Sequence, residues 1–129
     1  MTILIADRSL EIRERIKELA NDIYKYPKIF ETDSYQKAMS IIKSHKPNLI
    51  ITDIDLENGS GISLLRFIRN QTSRSLIIVF TNQLKYNLEE ISRKLGADYF
   101  LFKAHDIVKI KKILINSSFR LNHNNYLSN

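Results

Sequence analysis

Asp53 follows the run Asn48-Leu49-Ile50-Ile51-Thr52, and three other short apolar runs also stop at a residue able to do chemistry: Met1–Ala6 at Asp7, Leu76–Phe80 at Thr81, and Tyr99–Phe102 at Lys103. Two carboxylates, a hydroxyl and an ammonium suit the binding of a divalent cation and a phosphoryl group. Carboxylate oxygens are hard ligands for such an ion, and a lysine supplies a mobile point charge for a phosphoryl oxygen. The set is useful only if residues spread from position 7 to position 103 meet in space, so the elements between them decide the matter.

The apolar runs alternate with amphipathic segments, which predicts parallel strands joined by helices. Strands are expected over 2–6, 28–32, 48–52, 75–80 and 98–102. Ile12, Ile16, Leu19 and Ile23 recur at helical spacing, with Ser9 as a candidate N-cap and Glu11 in the first turn. Asp33-Ser34 offers the next helix start, with Ala38, Ile41 and Ile42 inward and a stop before Pro47. A loop with Gly59 and Gly61 precedes a helix carrying Ile62, Leu65 and Ile68. Leu84, Leu88, Ile91 and Leu95 repeat the helical spacing up to Gly96, and Ile107, Ile110 and Leu114 mark a last helix. Residues 121–129 are polar and Asn-rich and are expected to fray, leaving one domain over 1–120.

Five βα units with right-handed crossovers give an α/β fold, a doubly wound parallel sheet of strand order 2-1-3-4-5. Ligands in such sheets bind at the carboxyl ends of the strands, beside the point where the order reverses. Here that point lies between the strands ending at Asp7 and Asp53. The unalternated apolar third and fourth strands imply burial on both faces.

Composition sets limits. The 129 residues, 43% hydrophobic and 26% charged, are those of an ordinary globular domain. The absence of cysteine excludes disulfides, thiol catalysis and cysteine zinc sites. No apolar stretch approaches the roughly 20 residues needed to span a bilayer, and no signal peptide pattern opens the chain, so a cytoplasmic protein is expected. The net charge of +6 invites a nucleic-acid reading, but the basic residues are scattered over every expected helix. An acidic protein partner is the better expectation.

With these residues in place, the chain resembles the receiver domains of two-component response regulators over residues 1–120, a flavodoxin-like fold. The resemblance is carried by Ile3-Leu4-Ile5-Ala6-Asp7, Pro47 through Asp53, Gly61, Val79-Phe80-Thr81, and Gly96 through Lys103. The steps of eight residues from Asp53 to Gly61 and 22 from Thr81 to Lys103 match the family. The resemblance implies a signalling domain rather than an enzyme, in which Asp53 accepts a phosphoryl group from a histidine kinase or phosphotransfer protein. It implies Mg²⁺ held by Asp7, Asp53 and the backbone carbonyl of Asp55. Lys103 and Thr81 would contact phosphoryl oxygens, and Phe100 would take the aromatic switch position. Output would pass to a protein partner or a second copy through the face formed by the fourth helix, fifth strand and fifth helix. With few residues past the last helix, no DNA-binding helix-turn-helix is expected within these 129 residues.

Five positions depart from that pattern. Arg8 stands where a second metal-binding acid is usual, so Mg²⁺ affinity is expected to fall; Arg8 is expected to pair with Asp53 or Asp55 and partly stand in for the metal. Asp55 and Glu57 add acids nearby. Ala104 replaces a proline after Lys103, so the 103–104 bond is expected to be trans. Asn82 is bulkier than the usual small residue after Thr81. These departures keep open a degenerate receiver that binds proteins without phosphorylation. A third reading notes that Asp53-Ile54-Asp55 is similar to the DxD of haloacid-dehalogenase-type phosphatases, which need a larger protein and a later acidic pair.

Overall fold

The computed structural model describes residues 1–71 and 74–127. In chain order the elements are β1 (Thr2–Ala6), α1 (Leu10–Ile23), β2 (Lys28–Thr32), α2 (Tyr35–His45), β3 (Leu49–Thr52), β4 (Asp55–Leu56), β5 (Gly59–Ser60), α3 (Gly61–Arg69), β6 (Leu76–Thr81), α4 (Leu88–Lys94), β7 (Tyr99–Phe102) and α5 (Ile107–Leu127). The five main strands are all parallel in the order β2-β1-β3-β6-β7. Counting only these, β6 and β7 are the fourth and fifth strands, and the order is the expected 2-1-3-4-5. No helix among the described residues is long and apolar enough to cross a membrane.

Burial on both faces follows from strict alternation along each strand. Leu4, Ala6, Ile50, Val79 and Phe100 face a core completed by α2, α3 and α4. Their neighbours Ile3, Ile5, Ile51, Ile78, Phe80 and Leu101 face α1 and α5. Apart from Ala6, each such side chain contributes about 1.5–3 kcal/mol on burial, so the sheet is fixed from both sides. Tyr24 ties the two helices of the second face together, its hydroxyl donating to the Leu114 carbonyl at 3.1 Å while burial pushes its pKa up to about 12.

The expected caps form. Ser9 accepts from the Ile12 N–H and Ser34 from the Lys37 N–H. Lys46 then closes α2 in the left-handed region at φ 44° before Pro47. The glycine-containing segment after β3 is more regular than a loop, because β4 and β5 pair as a small antiparallel hairpin. Two main-chain bonds fasten this hairpin to the start of α2: Tyr35 N–H to Glu57 O and Glu57 N–H to Asp33 O, both at 2.9 Å. The last helix, α5, continues through Leu127 into the polar stretch expected to fray, and 128–129 lie outside the described residues.

One expectation needs correction. The apolar face from Leu84 to Leu95 is not one helix, since α4 starts only at Leu88 and Leu84 is 82% exposed. The Gln83 N–H bonds to the Thr81 hydroxyl at 3.1 Å, a local turn that competes with helix initiation. Asn87, at φ 67°, gives the helix no side-chain cap. The α4 residue that is buried is Ser92, whose hydroxyl has no hydrogen-bond partner among the described residues. Exchanging Ser92 for alanine removes a desolvated hydroxyl without changing the shape, and is expected to stabilise the fold by about 1 kcal/mol. A raised urea midpoint at unchanged slope is the expected reading; a lowered midpoint contradicts it.

At the start of α5, the buried Asp106 carboxylate accepts from the Phe102 N–H at 2.8 Å and faces His105 Nδ1 and Lys109 Nζ. Chiefly that backbone bond holds its pKa down at about 2, against the ordinary 3.8. A depressed carboxylate stabilises above its unfolded pKa and loses the contribution as pH falls through the folded value. Asp106→Asn is therefore expected to be less stable than wild type at neutral pH, with the gap closing as pH falls from 3.8 toward about 2. A gap independent of pH in denaturant titrations contradicts this.

Candidate functional site

The sheet ladder does not stop at the last strand residue. Asp7 N–H donates to Thr32 O at 2.9 Å, Asp53 N–H to Ala6 O at 2.9 Å, and Lys103 N–H to Thr81 O at 3.0 Å. Three of the four strand-end residues are thus placed by main-chain bonds to the adjacent strand, and the fourth supplies one of the acceptors.

Their side chains converge. Lys103 Nζ lies 2.7 Å from Asp7 Oδ2 and 2.6 Å from Asp53 Oδ2, and the three side chains are only 11%, 3% and 9% exposed. The remaining oxygens take main-chain donors: Asp7 Oδ1 accepts from Ser9 N–H at 2.8 Å and Asp53 Oδ1 from Ile54 N–H at 2.6 Å. Burial raises the Asp7 pKa above the ordinary 3.8, although Lys103 opposes the shift. Burial also works against the Lys103 ammonium, but hydrogen bonds to Asp53 and Asp7 outweigh it and raise its pKa above 10.5. The resting site is a partly compensated cluster in which one cation is shared by two acids.

Thr81 is fully buried at the end of β6, and its hydroxyl accepts from Gln83. Phe100 is buried on β7, edge-on to Phe102 with ring centroids 5.5 Å apart, and borders a groove along α4 formed with Leu88 and Arg93. No peptide bond among the described residues is cis, so the 103–104 bond is trans as expected. Arg8 turns away from the buried acids. Its guanidinium pairs with Asp55 Oδ1 at 3.4 Å, both side chains being more than half exposed. Of the two partners expected for it, the structure selects Asp55.

Gly61 has a steric reason to be where it is. A Cβ there would lie 2.2 Å from the Asp53 carbonyl oxygen and 2.9 Å from the Ile54 Cα. The first residue of α3 therefore rests directly on the backbone of Asp53, and its N–H donates to Ile54 O at 2.8 Å.

Arg13 is a site residue that the sequence pattern does not reveal. It donates through Nη1 to the Asp7 carbonyl at 2.6 Å and through Nε to Glu31 at 2.8 Å, clamping the turn that carries Asp7. Lys17 adds a second cation on Glu31. The only sequence signal is an arginine one turn after the N-cap on the flank of α1, which is indistinguishable from a solvated residue.

The site and fold together define a receiver. The chain belongs to the response regulator receiver domain family, whose model matches residues 3–115, and it is the receiver domain of a two-component response regulator. Among particular relatives, the transcriptional regulatory protein HptR of Staphylococcus aureus is 28% identical over 113 residues, 87% of this chain and 44% of that protein. The sensory transduction protein BceR of Halalkalibacterium halodurans is 30% identical over 104 residues, 80% of this chain and 42% of that protein. The chain spans less than half the length of these curated relatives. The fold matches the signal receiver domain of a LuxO-type repressor protein from Vibrio parahaemolyticus with a TM-score of 0.84 at 23% identity, covering 99% and 97% of the two chains. It also matches the Mn²⁺-bound form of response regulator Rcp1 with a TM-score of 0.76 at 19% identity, covering 89% of each. Domains of this family are signalling modules and typically bind Mg²⁺.

Proposed function

We propose that Asp53 is the phosphoacceptor of a two-component switch acting in the cytoplasm, charged by the phosphohistidine of a histidine kinase or phosphotransfer protein. The observation that carries this reading is the shared contact of Lys103 with Asp53 and Asp7. A carboxylate can attack a dianionic phosphoryl group only where positive charge is held close to it. An Asp53 oxygen forms the new O–P bond as the P–N bond to the donor imidazole breaks, and the imidazole nitrogen keeps the electron pair and takes a proton. Lys103 then moves from the carboxylate to a phosphoryl oxygen. Thr81 donates its hydroxyl proton to another, which its present role as acceptor from Gln83 leaves free.

Two buried carboxylates bridged by one cation form a hard-oxygen set that suits Mg²⁺ or Mn²⁺. Asp7, Asp53 and the Asp55 carbonyl would hold the ion, which when bound supplies further charge neutralisation. Among the described residues no three acidic, histidine or cysteine side chains cluster, and a main-chain oxygen such as the Asp55 carbonyl would complete the set. Phosphorylation is read out through Thr81 and Phe100 at the face of α4, β7 and α5, to a protein partner or a second copy.

The second reading, a phosphorylation-independent binding module, draws on the same geometry, because Lys103 already satisfies both acids without phosphate. Intact-mass measurement after treatment with phosphoramidate and Mg²⁺ separates the two. The phosphoacceptor reading expects one added phosphoryl group on wild type and none on Asp53→Ala. An unmodified wild type supports the binding module.

A further inference from the structure

We propose that Arg8 is a phosphoryl-binding residue, which leaves Asp55 to take oxygens of the group on Asp53 and so lowers the dependence of the site on a divalent cation. This rests on Asp53 being the phosphoacceptor. Arg8 follows Asp7 at the end of β1 and reaches Asp55, two residues after Asp53 at the end of β3. The pair therefore spans the same two chain ends whose carboxylates Lys103 bridges from within.

The resting contact is weak. It is 3.4 Å long between side chains 58% and 54% exposed, the kind of exposed pair that contributes little. A guanidinium facing a phosphoryl group instead makes parallel, charge-assisted hydrogen bonds. Exchange of partners is thus favoured once the phosphoryl group is present. The other arginine near the site is already committed, since Arg13 is 15% exposed and bound to both Glu31 and the Asp7 carbonyl.

Charge accounting points the same way. Asp7, Asp53 and Lys103 together carry one net negative charge; a phosphoryl dianion brings two more on approach, and one of them remains in excess once the O–P bond to Asp53 has formed. Arginine in place of an acid changes the local charge by two positive units, as much as a divalent cation brings, although Asp55 returns one of them. Freed from Asp55, the guanidinium faces the developing charge at the open side of the site while Lys103 holds it from the buried side.

The test compares wild type, Arg8→Gln and Arg8→Asp for phosphorylation by phosphoramidate, in Mg²⁺ and in chelator, with intact mass as the readout. In chelator, Arg8→Gln is expected to be slower than wild type by about 10²-fold, as for loss of one donor aimed at developing charge. Wild type should lose no more than about tenfold on chelation, and Arg8→Asp should become strongly Mg²⁺-dependent. A structural readout accompanies the rates: the Arg8 Nε–Hε NMR resonance should shift when wild type is phosphorylated in chelator. Equal rates for wild type and Arg8→Gln in chelator, with an unmoved Arg8 resonance, overturn the proposal while leaving Asp53 as phosphoacceptor. Absence of labelling in all three proteins with Mg²⁺ removes the phosphoacceptor reading, and the role of Arg8 with it.

Discussion

Lys103→Met is expected to destabilise the fold by about 3–5 kcal/mol near neutral pH, because it leaves two buried carboxylates without their shared cation. The loss should be pH-dependent, with a sign set by Asp7. Its folded pKa lies above 3.8, so the protonated form favours the fold: that contribution is complete below 3.8 and is lost as pH rises through the folded value. Lys103 is the main influence holding this pKa down. Without it the pKa moves higher, and the variant should recover part of its stability on acidification over a wider range than wild type. The alkaline limb gives a second check. Lys103 contributes fully below 10.5, and wild type loses that contribution as pH rises through its raised folded pKa. The methionine variant has nothing to lose there. Guanidinium titrations near about pH 5, about pH 7.5 and above about pH 10.5 test both limbs. A constant difference across all three sinks the account.

Gly61→Ala should be nearly as damaging, by a different route. The added methyl meets the Asp53 carbonyl oxygen at 2.2 Å and two more backbone atoms at 2.9 Å, and none of these can rotate away. Either the start of α3 lifts or the Asp53 peptide shifts, at about 3 kcal/mol for overpacking of this kind. Because the backbone being pushed belongs to Asp53, phosphodonor labelling should slow as well, by about 10²-fold if the carboxylate moves by an ångström. Gly59→Ala is the internal comparison. Its Cβ would meet Tyr35 Cγ at 2.5 Å and Tyr35 Cβ at 2.7 Å, so the first residue of α2 has to shift, but no backbone of Asp53 is touched. Gly59→Ala should therefore destabilise the fold as well and yet leave labelling nearly unchanged. Equal losses of labelling for the two glycine variants contradict this account.

The fold was legible because the core is two-sided. Runs such as Leu49-Ile50-Ile51 have no polar face, so only a central strand between two helical layers accommodates them. The strand ends were legible for the same reason, since an ionisable residue ends such a run where the sheet meets solvent. What the sequence could not disclose was which contacts would compete locally. Leu84 has the spacing of a helix face, yet one hydrogen bond from Gln83 to Thr81 diverts the chain before a helix can form. Arg13 reads as one more surface cation until the Asp7 carbonyl is seen beside it. Arg8 was visible as an anomaly, but its choice of Asp55 over Asp53 depends on Lys103 having filled the interior first.

The ladder bonds at Asp7, Asp53 and Lys103 have a thermodynamic consequence. Many proteins hold reactive groups on segments that open well below the free energy of global unfolding. Here the backbone of the reactive set is tied into the sheet ladder itself. Its alignment lasts as long as those ladder bonds do, so opening of residues 7, 53 and 103 is coupled to opening of the strand ends that carry them. Freedom to change begins just beyond them, at Arg8 on one side and in the turn after Thr81 on the other.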